Sequence, residues 1–171
     1  WLAAGFELLK NRGAGALTID RLTHRLGVTK GSFYHHFASR EEFTHALLDQ
    51  WERRLTQELI DASRGGADFA ERNRRLTVLS EQLSDPAVEM AIRAWAMQDA
   101  GVMAYQERVD RRRLAYLGEL YGLLGSGHRA TADLALIRYA FAVGAQQLRP
   151  PLDPADLARV FELLQRQLES M

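Results

Sequence analysis

The sequence has no cysteine, no net charge and no long apolar run. The absence of cysteine from 171 residues excludes disulfides and thiolate chemistry, and it fits a reducing compartment. No segment approaches the roughly 18 uncharged apolar residues that a membrane span needs, and no apolar leader precedes a small-residue cleavage site. We therefore expect a cytoplasmic protein without a membrane partner. The chain begins inside an amphipathic pattern without an initiator Met, so we also expect a segment before Trp1.

Charge is distributed unevenly although the whole chain is neutral. The 22 basic and 22 acidic residues balance, yet residues 1–45 hold six Lys or Arg against four Asp or Glu. Four of the five histidines lie in the same segment. Because a positive region attracts polyanions, residues 1–45 are where an anionic partner is expected.

Strand-like alternation and internal repeats are also missing, and apolar residues recur at helical spacing instead, as in Phe43, Leu47 and Trp51. Residues that favour helix N-caps precede many of these series: Thr18, Thr29, Ser39, Asp68, Asp85 and Asp153. Hydrophobic residues make up 47% of the chain, which is enough for a buried core. The pattern predicts an all-α fold of about nine helices.

Two short helices flank Gly27, and this arrangement is typical of a helix-turn-helix. Glycine adopts positive φ readily, so the chain can turn sharply between the helices. Apolar side chains on both helices are expected to form the small core beneath the turn: Leu22, Leu26, Val28, Phe33 and Phe37. The polar and aromatic side chains between them are expected to face outward: Lys30, Ser32, Tyr34 and His35.

The outward set suits DNA chemically. Lys30 and Ser32, near the start of the second helix, can reach base edges or phosphates, and Tyr34 offers a hydroxyl on a stiff ring. Gly31 allows the backbone to approach closely. The helix N-termini at Thr18 and Ser39 add backbone N–H donors for phosphates. We therefore predict double-stranded DNA as a partner.

Residues 17–51, LTIDRLTHRLGVTKGSFYHHFASREEFTHALLDQW, resemble the DNA-binding domain of the tetracycline-repressor (TetR) family. That family's pattern is a Gly-Val-Ser-Lys-Gly-Thr-aromatic-Tyr-x-His-Phe run followed by a Lys-Glu-Glu-Leu-type helix start. The resemblance implies phosphate contacts from Thr18, Tyr34, His36 and Arg40. It also implies groove contacts from Lys30, Gly31, Ser32 and His35. Arg40 departs from the lysine that the family usually has, which keeps the charge but changes the hydrogen-bond geometry.

The resemblance further implies two domains, a helix-turn-helix domain over residues 1–50 and a ligand-binding and dimerisation domain over residues 51–171. Residues 130–148 and 154–170 are expected to pair with their copies in a homodimer. Small residues such as Ala140 and Gly144 independently favour close helix approach. The predicted interface residues are Phe141, Ala142, Ala145, Phe161, Leu164 and Leu168. An apolar or amphipathic effector is expected in a pocket lined by Trp95, Met97, Tyr116 and Tyr139.

Other classes of function find less support in the sequence. No triad order or glycine-rich phosphate loop is present, and most serines lie at expected helix starts or loops, so we predict neither an enzyme nor a cofactor. His35 and His36 would supply half a metal site at most, without another ligand at informative spacing, so no metal is predicted. A helical homodimeric interaction module would explain the last two helices but leave residues 27–40 unexplained. The favoured interpretation is a dimeric, ligand-responsive transcriptional regulator, with repression of a palindromic operator as its mode. A constitutive DNA-binding protein without a ligand is the remaining alternative.

Overall fold

The structure is a computed structural model, and it describes residues 1–125, 128–150 and 152–169. Ten α-helical segments follow one another along the chain: α1 (Leu2–Arg12), α2 (Ile19–Leu26), α3 (Lys30–His36), α4 (Arg40–Glu52), α5 (Glu58–Arg64), α6 (Phe69–Leu83), α7 (Pro86–Ala96), α8 (Ala100–Gly122), α9 (His128–Gln147) and α10 (Pro154–Glu169). A short 3₁₀ turn, Ala14–Ala16, follows α1, and a π-helical stretch, Arg53–Gln57, joins α4 to α5. Counted with that stretch as one helix, the described residues form nine helices and no strand. The predicted all-α fold is therefore confirmed. The sequence Gly125-Ser126-Gly127 also predicts a turn, and Ser126 and Gly127 lie outside the described residues.

Most helices begin where the sequence places a cap. Asp68 Oδ1 accepts the Glu71 N–H at 2.9 Å, and Asp153 Oδ1 accepts the Ala155 N–H at 2.8 Å. Asp99 is a cap that the sequence pattern did not reveal. Its Oδ1 accepts the N–H of Gly101 at 2.9 Å, so α8 begins at Ala100 and Gly101 lies in its first turn.

The described chain divides into two compact units. The first unit comprises Trp1–Glu58 and Leu83–Val109. Its core is built from fully buried side chains of α1, α4 and α7, among them Leu9, Trp51 and Ile92. The helix α7 packs against α1, because Val88, Ile92 and Trp95 share this core. Compactness therefore groups α7 and the first half of α8 with the N-terminal helices. The division into a helix-turn-helix domain over residues 1–50 and a ligand-binding and dimerisation domain over residues 51–171 stays a prediction.

The second unit comprises Leu59–Gln82 and Asp110–Met171. Its core contains Phe69 of α6, which packs on Tyr121 of α8 with ring centroids 5.7 Å apart. Leu134 and Ala135 of α9 are buried in the same cluster. This unit thus brings α6, α8 and α9 together around a small apolar centre.

Candidate nucleic-acid interface

The turn between α2 and α3 has the backbone geometry that the sequence predicts. Gly27 adopts a left-handed conformation with φ 66° and ψ 32°. The N–H of Val28 donates to the Thr23 carbonyl at 3.0 Å, which closes the end of α2. Thr29 Oγ1 accepts the Ser32 N–H at 3.3 Å, so α3 starts at Lys30. A residue other than glycine would be strained at position 27 because L-residues rarely adopt positive φ.

An aromatic cluster fixes α3 from beneath. Phe33 is completely buried, and its ring meets the Trp1 ring edge-on with centroids 5.4 Å apart. The ring centroid of Phe43 in α4 lies 5.8 Å from the ring centroid of Phe33 and 5.2 Å from that of Phe37. Aromatic packing of this kind holds α1, α3 and α4 together and sets the direction in which α3 presents its other face.

The expected core positions Leu26 and Val28 were wrong. These side chains are 39% and 40% exposed, although Leu22 in the same helix is fully buried. The reason is that the aromatic cluster of α1, α3 and α4 fills the space beneath α3. Leu26 and Val28 flank the turn itself and remain at the surface.

The residues with predicted DNA contacts lie in the first unit, on or next to α2, α3 and the start of α4. Six of them are exposed: Lys30, Gly31, Tyr34, His35, His36 and Arg40. Thr18 and Ser32 are half-buried. Tyr34 stands edge-on against Phe33 and is 56% exposed, so its hydroxyl points away from the core. The predicted set therefore forms a surface, whereas Phe33 and Phe37 support it.

Two capped helix starts accompany this surface. Thr18 Oγ1 accepts the Arg21 N–H at 3.3 Å at the start of α2. Ser39 Oγ accepts the Glu42 N–H at 3.1 Å, and the Glu42 carboxylate accepts the Ala38 N–H at 2.6 Å. These caps hold the first turns of α2 and α4 in place. Helix N-termini carry partial positive charge and are suited to phosphate groups.

Lys30 has a partner that sequence reasoning did not identify. Its Nζ lies 2.6 Å from Oδ1 of Asp20, which stands in the first turn of α2. The hydrogen bond and the charge of Asp20 raise the pKa of the Lys30 ammonium above its ordinary value. The i, i+10 separation has no helical periodicity, so only the turn at Gly27 brings the two side chains together.

The residues expected to line an effector pocket lie in different surroundings. Trp95 lines a cavity of about 570 Å³ in the first unit that is open to solvent, together with Leu48 and Val102. Polar and charged side chains complete the lining: Ser39, Arg40, Glu41, Thr44, His45 and Asp99. None of these polar side chains was expected from the sequence to line an effector pocket. The expected pocket residue Met97 is 77% exposed just after α7.

The other two expected pocket residues belong to the second unit. Tyr116 is buried, and its hydroxyl donates to Ser63 Oγ. The half-buried Tyr139 donates its hydroxyl to Asp110 Oδ1 at 2.7 Å. Both phenol groups therefore have hydrogen-bond partners within their own unit.

The predicted interface residues Phe141 and Phe161 meet each other within the chain. Their rings are perpendicular with centroids 4.9 Å apart, which ties α9 to α10. Ala142 and Ala145 are half-buried, and the side chains of Leu164 and Leu168 lie outside the described residues. A neighbouring face of α9 is exposed along its length, and it contains Leu136, Ile137, Ala140 and Gly144, with the exposed Leu148 directly after the helix. The spacing of four along 136, 140, 144 and 148 is the sequence signal by which this face could have been found.

Across residues 1–125, 128–150 and 152–169, no three His, Cys, Asp or Glu side chains are placed to hold a metal ion. None of the helices in that part of the chain combines the length and the apolar character required to cross a membrane.

Two short helices joined by a left-handed glycine, with an outward-facing set of basic, hydroxyl and aromatic side chains, define a helix-turn-helix DNA-binding protein. The model of the family described as bacterial regulatory proteins, tetR family, matches residues 2–47. The transcriptional regulator AcuR of Cereibacter sphaeroides is 33% identical over 169 residues, covering 94% of this chain and 68% of AcuR. The chain belongs to the TetR family of transcriptional regulators.

Other relatives agree with this assignment. The HTH-type transcriptional repressor NemR of Escherichia coli is 38% identical over 68 residues, which cover 37% of this chain and 34% of NemR. A TetR-family transcriptional regulator from Streptomyces coelicolor has the same fold, with a TM-score of 0.81 at 18% identity over 99% of this chain and 86% of that one. The reduced form of E. coli NemR gives a TM-score of 0.69 at 24% identity, covering 98% and 91% of the two chains. These relatives and this fold are those of transcriptional regulators rather than enzymes.

Proposed function

We propose that the protein is a ligand-responsive repressor that binds a palindromic operator as a homodimer and leaves it when a small molecule binds. The observation that carries the DNA-binding part is the exposed set on α3, flanked by the capped starts of α2 and α4. Lys30, Gly31, Ser32 and His35 are assigned to the groove. Thr18, Tyr34, His36 and Arg40 are assigned to phosphates. Phosphate contacts fix the register of a protein on DNA, and groove contacts read the sequence.

The exposed face of α9 supports the homodimer. Large apolar side chains such as Leu136, which is 56% exposed, would be covered by the same face of a second copy. Ala140 and Gly144 on this face are small enough for two helices to approach closely. The contact between Phe141 and Phe161 holds α10 beside α9, so both helices would enter the interface together. A two-fold dimer would place two copies of α3 on successive major grooves, about 34–36 Å apart.

The cavity beside Trp95 supports an effector site. Its apolar lining of Leu48, Trp95 and Val102, with charged side chains beside it, suits an amphipathic molecule. A molecule there would touch the first turns of α4, which carry the proposed phosphate contact Arg40. Occupancy and DNA binding would then be coupled if the effector binds better to the arrangement of α4 that does not fit DNA. That Met97, Tyr116 and Tyr139 contribute to an effector site stays a prediction.

The DNA-binding assignment is tested with single substitutions. Lys30→Ala, Tyr34→Phe and Arg40→Ala are each compared with Arg54→Ala, which removes an exposed arginine in the π-helical stretch. Affinity for a fluorescent duplex containing the operator, measured by anisotropy at near-physiological salt, should fall for the first three and stay unchanged for the control. If all three variants bind as the parent does, the assigned surface is not the DNA-binding surface.

The effector is tested by native mass spectrometry of the purified protein, which detects a retained small molecule. Thr44→Phe would fill the cavity beside α4 and should abolish retention, whereas Val78→Phe on the exposed side of α6 should not. Equal retention by both variants would place the effector elsewhere. A protein that retains no molecule, and whose DNA affinity no added small molecule changes, would be a constitutive DNA-binding protein.

A further inference from the structure

The ion pair between Lys30 and Asp20 sits within the surface assigned to DNA. It joins the first residue of α3 to the first turn of α2, with Nζ and Oδ1 2.6 Å apart. Both side chains are well exposed, at 63% and 71% of their side-chain surface. Exposed ion pairs contribute little to folding stability because solvent screens them and holding two side chains costs entropy. A role in stability therefore does not explain this pair.

The pair alters what Lys30 can do on DNA. A lysine is a point charge on a flexible four-carbon stem, so a free Lys30 could reach any nearby phosphate. The contact with Asp20 favours one placement of the ammonium, and the carboxylate offsets part of its charge toward a distant polyanion. Non-specific DNA affinity depends on how many phosphates Lys and Arg neutralise, so this pair lowers it.

We propose that Asp20 is a specificity-determining residue, which positions Lys30 for the base edges of the operator and withholds it from phosphates of other DNA. The proposal rests on the proposed function, since it presupposes that Lys30 faces the groove. Guanine offers two acceptors, O6 and N7, at fixed positions in the major groove. A pre-positioned Lys30 ammonium can bind such acceptors without the entropy cost of ordering its side chain on binding. In random DNA these acceptors are not at the required positions, so nothing compensates for breaking the ion pair between Lys30 and Asp20.

The experiment measures affinity for operator and for random-sequence duplexes across a salt series. Asp20→Asn removes the charge with little change in size. Asp20→Glu keeps the charge and serves as the conservative rescue. Glu58→Gln is the matched control, because it removes the same charge from another exposed ion pair, with Arg53 at 3.7 Å. Melting temperatures establish that each variant is folded.

Asp20→Asn should bind random duplex several-fold more tightly, and the slope of log affinity against log salt should steepen by about 0.9 for each phosphate gained. The ratio of operator to random affinity should fall about tenfold, since operator affinity gains nothing or declines. Asp20→Glu should restore much of the ratio, and Glu58→Gln should leave it unchanged. In a Lys30→Ala background, Asp20→Asn should no longer change the ratio.

Two results would overturn the proposal while leaving the proposed function intact. One is a parent protein that discriminates between duplexes and an Asp20→Asn variant that discriminates equally well. The other is an effect of Asp20→Asn that persists unchanged in the Lys30→Ala background, which would mean that Asp20 acts by charge alone. A parent protein that binds all duplexes alike would reject the operator function and this inference together.

Discussion

At position 31, the stability of the fold and the proposed binding of DNA favour different residues. Gly31 lies in the first turn of α3, where glycine costs helix stability relative to alanine. A Cβ at this position would meet only Thr29 Oγ1, at an ordinary 3.6 Å. Nothing in the described surroundings therefore requires a glycine. A glycine here is consistent with the proposed close approach of the DNA backbone to α3.

Gly31→Ala should consequently stabilise the protein and weaken its function. The free energy of unfolding should rise by up to about 1 kcal/mol because helical alanine is favoured over glycine. Operator affinity should fall, since the new methyl group would stand between α3 and the DNA. Thermal unfolding and fluorescence anisotropy measure the two effects on one sample. An alanine variant that binds the operator as tightly as the parent would show that no close approach occurs at this position.

Tyr34 and Phe33 are neighbours with opposite expected effects. Tyr34→Phe removes one hydroxyl from an exposed ring, so it should weaken operator binding by about 1 kcal/mol and leave melting unchanged. Phe33→Ala empties a fully buried site and should cost about 3–5 kcal/mol of unfolding free energy. Denaturant titrations and binding isotherms separate the two. Loss of stability in the Tyr34 variant would contradict the assignment of its ring to the outer surface.

Surface residues whose positions follow from spacing within one helix could be predicted from the sequence. Residues whose positions depend on contacts between separate helices could not. Tyr34 and Lys30 were predicted to face outward because the predicted helix also contains Phe33 and Phe37, whose spacing of four would put them on its inner face. Asp20 was not found, because its meeting with Lys30 depends on the direction of the chain after Gly27. Leu26 and Val28 were misplaced for a related reason: aromatic rings from α1 and α4 occupy the space they were expected to fill.

At the scale of elements, α1 and α4 approach each other closely at Gly5. A Cβ on Gly5 would lie 2.7 Å from Phe43 Cζ and 3.1 Å from Leu47 Cδ1, and both of these side chains are fully buried. Neither can move aside without disturbing the core beneath α3. The helix spacing in the sequence predicts both helices but carries no information on how closely they pack.

Gly5→Ala should therefore destabilise the protein by about 1–3 kcal/mol, the usual cost of an overpacked core. Gly118→Ala is the matched control, because Gly118 lies within α8 and a Cβ there would meet no atom within 4 Å. That variant should be as stable as the parent or slightly more so. Chemical denaturation compares the three proteins. A neutral Gly5→Ala would mean that α1 and α4 are less tightly packed than the structure shows.

Helix starts were predictable and helix interiors less so. Ser39, Asp68 and Asp153 cap helices as their side-chain chemistry predicts. The π-helical stretch Arg53–Gln57 has no comparable local signature. It immediately follows Glu52, whose carboxylate accepts the Arg108 Nε–H at 3.0 Å. Interactions between residues 56 positions apart, such as this one, lie beyond any local pattern.

At the scale of the whole molecule, the sequence predicts the helices but not their grouping into compact units. The first unit combines α1–α4 with α7 because Ile92 and Trp95 share a core with Leu9 and Trp51. The spacing of apolar residues predicts that α7 has an apolar face, but it does not indicate which helix packs against that face. The same limit applies to α9, whose apolar residues predict a covering surface without identifying it.

The homodimer is tested on the exposed face of α9. Leu136→Glu places a charge on the proposed interface and should yield a folded monomer, since a buried unpaired charge is costly. Val78→Glu makes the same change at an exposed apolar residue of α6 and should leave the oligomeric state unchanged. Sedimentation velocity reports mass, and circular dichroism reports helix content. A Leu136→Glu protein that remains dimeric would move the interface to another surface.

The central claim is that the exposed surface of α2, α3 and the start of α4, presented twice by a symmetric dimer, binds a palindromic DNA sequence specifically. Selection of duplexes from a fully randomised library by the purified protein, followed by sequencing, tests it most directly. The account predicts an enriched palindrome whose half-sites are centred about 10 base pairs, or one helical turn, apart. It also predicts that the Lys30→Ala protein enriches this palindrome poorly. A library that remains random after repeated selection, or an enriched motif without two-fold symmetry, would contradict the account.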